Sequence, residues 1–531
     1  MLYPESRQSG KKGHFALIYS LLLATLLLGG CQNKPDADLV RQRKQQYVHN
    51  SHLLNERLRQ IVLTDSGNLI GDHQLQVFYS DTTHGRIWTQ ELLPSHRADT
   101  ILHELQSAIR RAGFSEQAFH LQQIRADIDS TRNLSIDSIL PHHIKRLARL
   151  EYLLSKAFIH YTMGQRYGFM KRPEYVFNHI DVRDQDEQGR PLSYREVMHQ
   201  QVAESDNDFV VKALALCAQD KAVDFLHASE PSDKFYTQLE TRLAQVTDQE
   251  QRHRLMANME RLRWQTPNRP ADSERHVLVN IAAQQLWAVS SDTVIQMRVV
   301  CGARKTKTPL MKGMLNWLVV NPEWYIPANI VRNEISARAG DSAYFARHRY
   351  FITNSSRDTI SPNKVSRQQL AQNLYRVTQR RGQGNSLGRL KFNFSNPFDV
   401  YLHDTNMPGA FNYADRALSH GCVRVQRPFD LACFLLRLSP DDTKDEREVD
   451  RLRVAIGMKP KSDKEREWLE EHADDSEAQL NRFGNHGISP NVPVYIIYYT
   501  VYPNPQTGTL ETWSDPYGYD AHVLRGIKPF M

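Results

Sequence analysis

Residues 400–425 have the sequence VYLHDTNMPGAFNYADRALSHGCVRV. The apolar start predicts a strand that ends at His403, and SHGCV predicts a turn that presents Cys422. A thiol needs a base to become a nucleophilic thiolate near neutral pH. The oxyanion that forms after attack on a carbonyl needs hydrogen-bond donors, and the small Gly421 lets backbone N–H groups come close. We therefore take His403 as the candidate base and Cys422 as the candidate nucleophile.

The chain changes from a helical pattern to a strand pattern near residue 270. Apolar residues recur at helical spacing in segments such as HLLNERLRQIVL and RLARLEYLLSKAFIHY. Prolines then break the pattern, and from Arg275 the apolar period becomes two in HVLVNI, QQLWAV and TVIQMRVV. The sequence therefore predicts an α+β protein, with a helical domain over residues 51–272 and a mostly β domain over residues 273–503.

Some segments of the second half are predicted to lie outside the sheet. Residues from about 330 to 390 are polar and predicted to be helical, and residues from about 440 to 488 carry dense charge of both signs. The segment VPVYIIYYTVY is predicted to be a long strand that rejoins the sheet. Residues 504–531 are interpreted as a C-terminal tail.

The N-terminus has the pattern of a bacterial lipoprotein signal peptide. Basic residues precede the apolar run FALIYSLLLATLLL, which is too short to span a bilayer, and LGGC ending at Cys31 resembles a lipobox. The prediction is a signal peptide over residues 1–30, lipidation of Cys31 and a tether over residues 31–50. Gln32 favours an outer-membrane lipoprotein that faces the periplasm. The alternative is an ordinary cleaved signal peptide with a chance cysteine.

Charge and cysteine content exclude several classes of function. The formal net charge is +7 over 531 residues, without a basic stripe or a reader motif, so we do not expect a nucleic-acid partner. The cysteine spacing fits neither a disulfide framework nor a zinc site. Cys217 and Cys433 lie in apolar runs and are predicted to be core residues. The sequence leaves the state of Cys301 open.

The motif around Cys422 resembles the signature of bacterial L,D-transpeptidases, in which a histidine precedes [S/T]HGC by some sixteen residues and an arginine follows. The resemblance extends to VLVNIAAQQLW at 277–287, VVCG at 299–302, VNPEWYIP at 320–327 and NSLGRLKF at 385–392. In the first half, RLEYLLSKAFIHY and ANMERLRW resemble the helical scaffold domain of the large members of the family. The resemblance implies a mostly β catalytic domain with a capping insertion at about 330–390, preceded by a scaffold domain.

The resemblance also implies a role for each residue of the motif. Cys422 is the expected nucleophile and His403 the general base, oriented by the backbone carbonyl or the side chain of Asp404. Backbone N–H groups of His420, Gly421 and Cys422 are expected to form the oxyanion hole. Ser419 and Arg424 are expected to support the turn or to contact the substrate. Trp324 and Tyr325 are expected to line the substrate cleft.

The implied reaction is a peptidoglycan L,D-transpeptidation that makes 3→3 cross-links through a cysteine thioester. It needs no cofactor and no metal, and it implies covalent inhibition by carbapenems. Peptidoglycan stem peptides and, through Cys31, a membrane are the expected partners. One alternative is an L,D-carboxypeptidase, in which water takes the acyl group. Another is a catalytically inactive, wall-binding scaffold lipoprotein. A zinc site at His403, His420 and Cys422 lacks a clear fourth ligand.

Overall fold

The computed structural model describes residues 37–81, 84–132, 140–180, 196–199, 202–206, 208–264 and 275–531. The predicted signal peptide, Cys31 and the predicted boundary between residues 272 and 273 therefore lie outside the described residues. Within these ranges, no helix combines the length and the hydrophobicity needed to cross a bilayer.

The first half of the chain is a helical domain. It also contains a two-stranded hairpin of β1 (Thr89–Gln90) and β2 (Leu93–Pro94). Its helices are α1 (Ala37–Thr64), α2 (Asp72–Ser80), α3 (His96–Arg111), α4 (Leu121–Arg132), α5 (Leu140–Tyr167), α6 (Pro173–Asn178), α7 (Phe209–Ala218), α8 (Ala222–Ser229), α9 (Lys234–Gln245) and α10 (Gln249–Arg263). Helix α1 includes residues 37–50, so this part of the predicted tether is helical.

Helix α5 is the centre of the helical domain. Its 28 residues are buried on nearly all sides because α1, α3, α4 and α8 pack around it. Polar residues on this helix are therefore buried with their partners. Glu151 is 0% exposed and accepts hydrogen bonds from the backbone N–H groups of Ile87 (2.6 Å) and Trp88 (3.0 Å). Such a helix is a rigid support, because each of its buried polar groups must stay paired.

The second half is built on one mixed sheet of nine strands. The strands are β3 (His276–Asn280), β4 (Gln285–Val289), β5 (Val294–Gly302), β6 (Met311–Val320), β11 (Leu390–Phe394), β12 (Leu402–His403), β13 (Ala417–Ser419), β14 (Val423–Val425) and β15 (His486–Ile497). Their order in the sheet is β13-β5-β14-β12-β11-β6-β15-β3-β4, and β4 also pairs with β5, so the sheet closes on itself and leaves β13 on the outside. The predicted α+β fold class is confirmed, and the late strand does rejoin the sheet, between β6 and β3.

A smaller unit lies between β6 and β11, and we call residues 324–379 the cap. It contains a four-stranded sheet and its own core, which includes Ile352, Phe345 and Val377. Its elements are β7 (Trp324–Tyr325), α11 (Ala328–Ile330), α12 (Ser342–Arg347), β8 (Tyr350–Thr353), β9 (Thr359–Ile360), α13 (Arg367–Ala371) and β10 (Arg376–Gln379). The prediction of a helical insertion was incomplete, because strands of two to four residues are too short to give a clear period of two.

The charged segment after the Cys422 turn is helical. The helices after the turn are α14 (Pro428–Leu436), α15 (Glu446–Ala455), α16 (Asp463–Glu471) and α17 (Ser476–Leu480). Helix α14 packs against the sheet, and the three helices that follow carry the charged surface of the segment. The segment is not wholly solvated, because Val449 and Leu452 are fully buried.

Residues 504–531 do not form a tail, which corrects the prediction. Strands β16 (Val501–Pro503) and β17 (Leu510–Thr512) pair, and α18 (Tyr519–Ile527) packs on helix α10. Phe530 is 0% exposed and its ring centroid lies 4.8 Å from that of Phe169 in the helical domain. The C-terminal segment therefore joins the two halves by apolar burial.

Candidate active site

The candidate site lies on the face of the sheet where β11, β12 and β14 run side by side. His403 on β12 pairs with Lys391 on β11 and with Arg424 on β14. Paired residues on neighbouring strands project from the same face. The alternate positions, such as Leu402 and Val423, are fully buried in the core. Lys391, His403 and Arg424 therefore form one row on the face away from the core.

Cys422 stands at the end of this row, in the turn just before β14. Its side chain is half-buried, and Sγ lies 3.8 Å from the backbone carbonyl oxygen of Asp399. Burial raises the pKa of the Cys422 thiol, while hydrogen bonds with Tyr401 and the positive charges of Lys391 and Arg424 oppose the rise. The other described thiols are free and buried, and burial raises the pKa of Cys301 and of Cys433 to about 12. Cys422 is thus the accessible thiol among them.

His403 is only 5% exposed. Burial, followed by the positive charge of Arg424, lowers its pKa to about 3, and the backbone of Asp404 and Leu387 partly opposes this. Its Nδ1 is buried without a hydrogen-bond partner in the described part of the chain. The imidazole is therefore neutral at pH 7 and can accept a proton.

The side chain of Asp404 is occupied by the neighbouring loop. Its carboxylate accepts hydrogen bonds from the N–H groups of Arg389 and Thr405, each at 2.7 Å. A Cβ atom at Gly388, where φ is +66°, would lie 2.3 Å from this carboxylate. Sequence reasoning left open whether the backbone or the side chain of Asp404 faces the base. The structure commits the side chain to the loop, and the backbone of Asp404 partly opposes the lowering of the His403 pKa.

The Cys422 turn is held from inside by Ser419, which is 3% exposed. The Ser419 hydroxyl donates to the carbonyl oxygen of Cys422 at 2.6 Å and accepts from the Gly421 N–H at 3.1 Å. Of the two roles expected for Ser419, the structure favours support of the turn over contact with the substrate, because the hydroxyl is buried and bonded within the turn. The predicted Gly421 donor is wrong, because its N–H is already bonded.

Two other backbone donors of the turn are free. Neither the N–H of His420 nor that of Cys422 forms a hydrogen bond within the residues that the structure describes. Gly421 shapes the turn between them with φ of +126°, a conformation that favours glycine, and its carbonyl oxygen accepts from Thr308 Oγ1 at 2.8 Å. The expected oxyanion-hole donors are thus reduced to the backbone N–H groups of His420 and Cys422.

Residues 274–465 match the family model described as the L,D-transpeptidase catalytic domain (YkuD), and residues 73–243 match the model described as the Scaffold domain. Residues 274–465 are thus similar to an L,D-transpeptidase catalytic domain. The predicted family resemblance is confirmed for both halves of the molecule, since the scaffold match falls in the helical domain and the other match begins two residues before β3.

One curated relative and one solved structure are similar to parts of the chain. The Haemophilus influenzae protein named "Putative L,D-transpeptidase" is 30% identical over 244 residues, which is 45% of this chain and 49% of the relative. The chain thus spans about half the length of that curated relative. A solved L,D-transpeptidase structure from Mycobacterium smegmatis is 14% identical over 30% of this chain and 53% of that chain. Its TM-score of 0.18 is too low for a comparison of the two folds.

In the L,D-transpeptidase domain, one residue that sequence reasoning missed contacts the thiol. The Tyr401 hydroxyl hydrogen-bonds with Cys422 and with the side chain of Trp324, and burial raises its pKa. Its ring centroid lies 5.6 Å from that of His403. The available signal was the spacing, because residues 401 and 403 of one strand project from the same face.

The two predicted cleft aromatics, Trp324 and Tyr325, are the two residues of strand β7 and differ in their surroundings. Trp324 is half-buried and joins the cap to Tyr401. Tyr325 is 60% exposed, and its ring stacks under the Arg376 guanidinium at 5.6 Å from the centroid. Successive residues of a strand point to opposite faces, so the structure supports Trp324 as a cleft residue and places Tyr325 away from the thiol.

The cap also contacts the Cys422 turn of the L,D-transpeptidase domain directly. The exposed His420 Nε2 lies 2.7 Å from Oε1 of Glu334 in the cap. Because His420 also offers a free backbone N–H, this contact connects the position of the cap with a candidate oxyanion donor. Within the described residues, no group of three or more His, Cys, Asp or Glu side chains is arranged to hold a metal ion.

Proposed function

We propose that the protein is a peptidoglycan L,D-transpeptidase that forms 3→3 cross-links between stem peptides through a thioester on Cys422. The observation that carries the proposal is the half-buried Cys422 thiol in the turn before β14. The neutral His403 lies on the neighbouring strand β12, and the turn has two free backbone donors. The family match of residues 274–465 supports the same reaction class.

The pKa shifts favour a resting pair of neutral thiol and neutral imidazole. Burial raises the pKa of Cys422 and lowers that of His403, so a preformed thiolate–imidazolium pair is disfavoured. The proton must therefore move while sulfur attacks, which is general-base catalysis. In the structure Sγ faces the Asp399 carbonyl, and rotation of the thiol toward His403 is the required first movement.

The proposed acylation breaks one C–N bond. Sγ of Cys422 attacks the carbonyl carbon of the third stem residue, and the thiol proton passes to His403. The N–H groups of His420 and Cys422 stabilise the oxyanion. The C–N bond to the terminal D-alanine then breaks, and His403 returns the proton to the leaving amine.

The second half-reaction transfers the acyl group. An amine of a neighbouring stem attacks the thioester, the new C–N bond forms and the S–C bond breaks. His403 takes a proton from the attacking amine and returns it to sulfur. The products are a cross-linked dimer and the free Cys422 thiol.

The test is mass spectrometry of disaccharide-tetrapeptide incubated with the full chain in detergent, beside the Cys422→Ala variant. We expect dimers that lack one D-alanine with the wild type only. Tripeptide monomers alone would contradict the proposal in favour of an L,D-carboxypeptidase. No product from a protein with reduced Cys422 would contradict it in favour of an inactive scaffold.

Two further proposals concern inhibition and location. A carbapenem is expected to acylate Cys422 of the folded protein, and the adduct should be found on the tryptic peptide that contains this residue. Absence of that adduct would count against the thioester chemistry. The lipobox-like sequence at Cys31 supports an outer-membrane lipoprotein that faces the periplasm. We expect Cys31→Ser to release the protein into the soluble periplasmic fraction, and retention in the membrane would contradict lipidation.

A further inference from the structure

We propose that Lys391 and Arg424 form an anion subsite beside Cys422, which binds the free carboxylate of the amino acid that leaves in the acylation step. This inference rests on the proposed function, because it names the part of the substrate that the same site recognises. The subsite would make a free carboxylate, one residue after the scissile bond, a requirement for the acyl donor.

The register of the sheet sets the two cations on either side of the base. Lys391 and Arg424 are the cross-strand partners of His403, on β11 and β14 respectively. With neighbouring strands about 4.8 Å apart, their Cα atoms are roughly 10 Å apart. Both charges act on the Cys422 sulfur, so they surround the position of the reacting carbonyl.

Neither cation has a counter-ion in the part of the chain that the structure describes. Among the described residues, no carboxylate lies within ion-pair distance of Lys391 or Arg424. Arg424 Nε is buried without a hydrogen-bond partner. Lys391 Nζ lies 4.0 Å from the centroid of the Tyr401 ring, and the exposed Asp399 acts on it only over a longer distance.

Burial makes this arrangement costly in the absence of a ligand. Desolvation lowers the pKa of both Lys391 and Arg424. A half-buried cation without a partner destabilises a protein, and such groups are found where an anion is to be bound. A carboxylate between the two side chains would supply the missing charge-assisted hydrogen bonds.

The leaving residue offers a carboxylate at a suitable distance. Three bonds separate the attacked carbonyl carbon from the carboxylate carbon of a terminal amino acid, a span of roughly 4 Å. An added residue would carry the charge one residue further from the thiol and bring a neutral amide to the two cations. The subsite therefore favours donors that end one residue after the scissile bond.

The first experiment compares alkylation of Cys422 by iodoacetate and by iodoacetamide, followed on the peptide that contains Cys422. An effect on thiolate formation acts on both reagents and cancels in the ratio of their rates. We expect the ratio, taken relative to the unfolded protein, to be raised in the wild type. It should fall about tenfold in Lys391→Met and in Arg424→Gln, since a hydrogen bond to a charged group contributes about 1.5–3 kcal/mol.

Exposed cations of the cap provide the matched controls. Lys364→Met and Arg367→Gln should keep the wild-type ratio, because both side chains are exposed and lie in the cap. Arg424→Lys keeps a positive charge and should retain part of the preference for iodoacetate. Equal slowing of both reagents in Lys391→Met and Arg424→Gln would overturn the proposal, because the two cations would then act only on the thiolate.

The second experiment uses a tetrapeptide stem with a free C-terminal carboxylate and the same stem with a C-terminal amide. We expect the wild type to prefer the free acid about tenfold in kcat/KM, and Lys391→Met to lose this preference mainly through KM. A wild type that accepts both stems equally would overturn the proposal. A raised iodoacetate ratio without turnover of either stem would support the subsite and refute the proposed transpeptidase instead.

Discussion

Buried charges are paired in the helical domain but not on the face of the sheet that carries Lys391, His403 and Arg424. In the helical domain, Arg263 is 0% exposed and hydrogen-bonds with Glu260 (3.2 Å), Gln165 (3.0 Å) and Tyr236 (2.8 Å). On the catalytic face of the sheet, Arg424 has an unpartnered Nε and no carboxylate nearby among the described residues.

The difference distinguishes buried ions that hold the fold in place from ions that can bind a ligand. A buried ion whose hydrogen bonds are complete holds its surroundings in one arrangement, and it is costly to disturb. A half-buried ion without a partner costs stability and remains available to a ligand. The helical domain therefore acts as a rigid base, and the face around Cys422 leaves its charges available to a ligand.

The largest effect is expected from breaking a complete pair in the helical domain. Arg263→Met leaves the fully buried Glu260 without its cation and should lower the free energy of unfolding by about 3–5 kcal/mol. The comparison is Arg424→Met, which leaves no carboxylate unpaired and should change stability by about 1 kcal/mol or less. Urea unfolding at pH 7 measures both. Equal losses in the two variants would remove the distinction between the halves.

The next effect is the acid sensitivity that His403 causes. Its folded pKa of about 3 lies below the unfolded value of 6.5, so below pH 6.5 the unfolded state binds a proton that the folded state does not. The wild type should therefore lose about 3 kcal/mol more unfolding free energy between pH 7 and pH 4 than His403→Gln.

Urea unfolding at several pH values tests this prediction. The exposed His142 on α5 provides the control, and His142→Gln should show the same pH dependence as the wild type. Parallel curves for the wild type and His403→Gln would contradict the neutral, buried state of His403.

A smaller effect is expected at Asp72, a paired carboxylate. Burial raises the pKa of Asp72, but the hydrogen bond and charge of His160, the Leu69 N–H and the charge of Lys156 together lower it to about 2. Because the folded pKa is lowered, this contribution is present above pH 3.8 and is lost as the pH falls toward 2. Asp72→Asn should therefore cost about 2 kcal/mol at pH 7 and progressively less below pH 4. A cost that stays constant between pH 7 and pH 2 would refute this assignment.

The smallest effect is expected at the contact between the cap and the Cys422 turn. His420 and Glu334 are both about half exposed, so Glu334→Gln should change stability by less than about 1 kcal/mol. Turnover of the tetrapeptide should fall a few-fold, and the difference should shrink at high salt, because exposed ion pairs are screened. Glu467→Gln, an exposed substitution on α16, is the control. An unchanged rate in Glu334→Gln at low salt would show that the contact does not position the turn.

Local patterns were sufficient for much of this molecule. The period of two predicted β3, β4 and β5, and the match to the family models confirmed the catalytic and scaffold domains. The cap sheet was missed because its strands are too short to show a period. The C-terminal helix was read as a tail because its partners, such as Phe169, lie hundreds of residues away in the sequence.

The sequence by itself determined the candidate nucleophile, the candidate base and the order of the two domains, because these depend on residue type and short spacing. Only the tertiary structure decided which groups around Cys422 are free. It shows that the Gly421 N–H donates a hydrogen bond to Ser419. It also shows that Lys391 pairs with His403 across the strands and has no counter-ion among the described residues. These outcomes depend on strand register and on competition for hydrogen bonds between distant segments, which no local pattern contains.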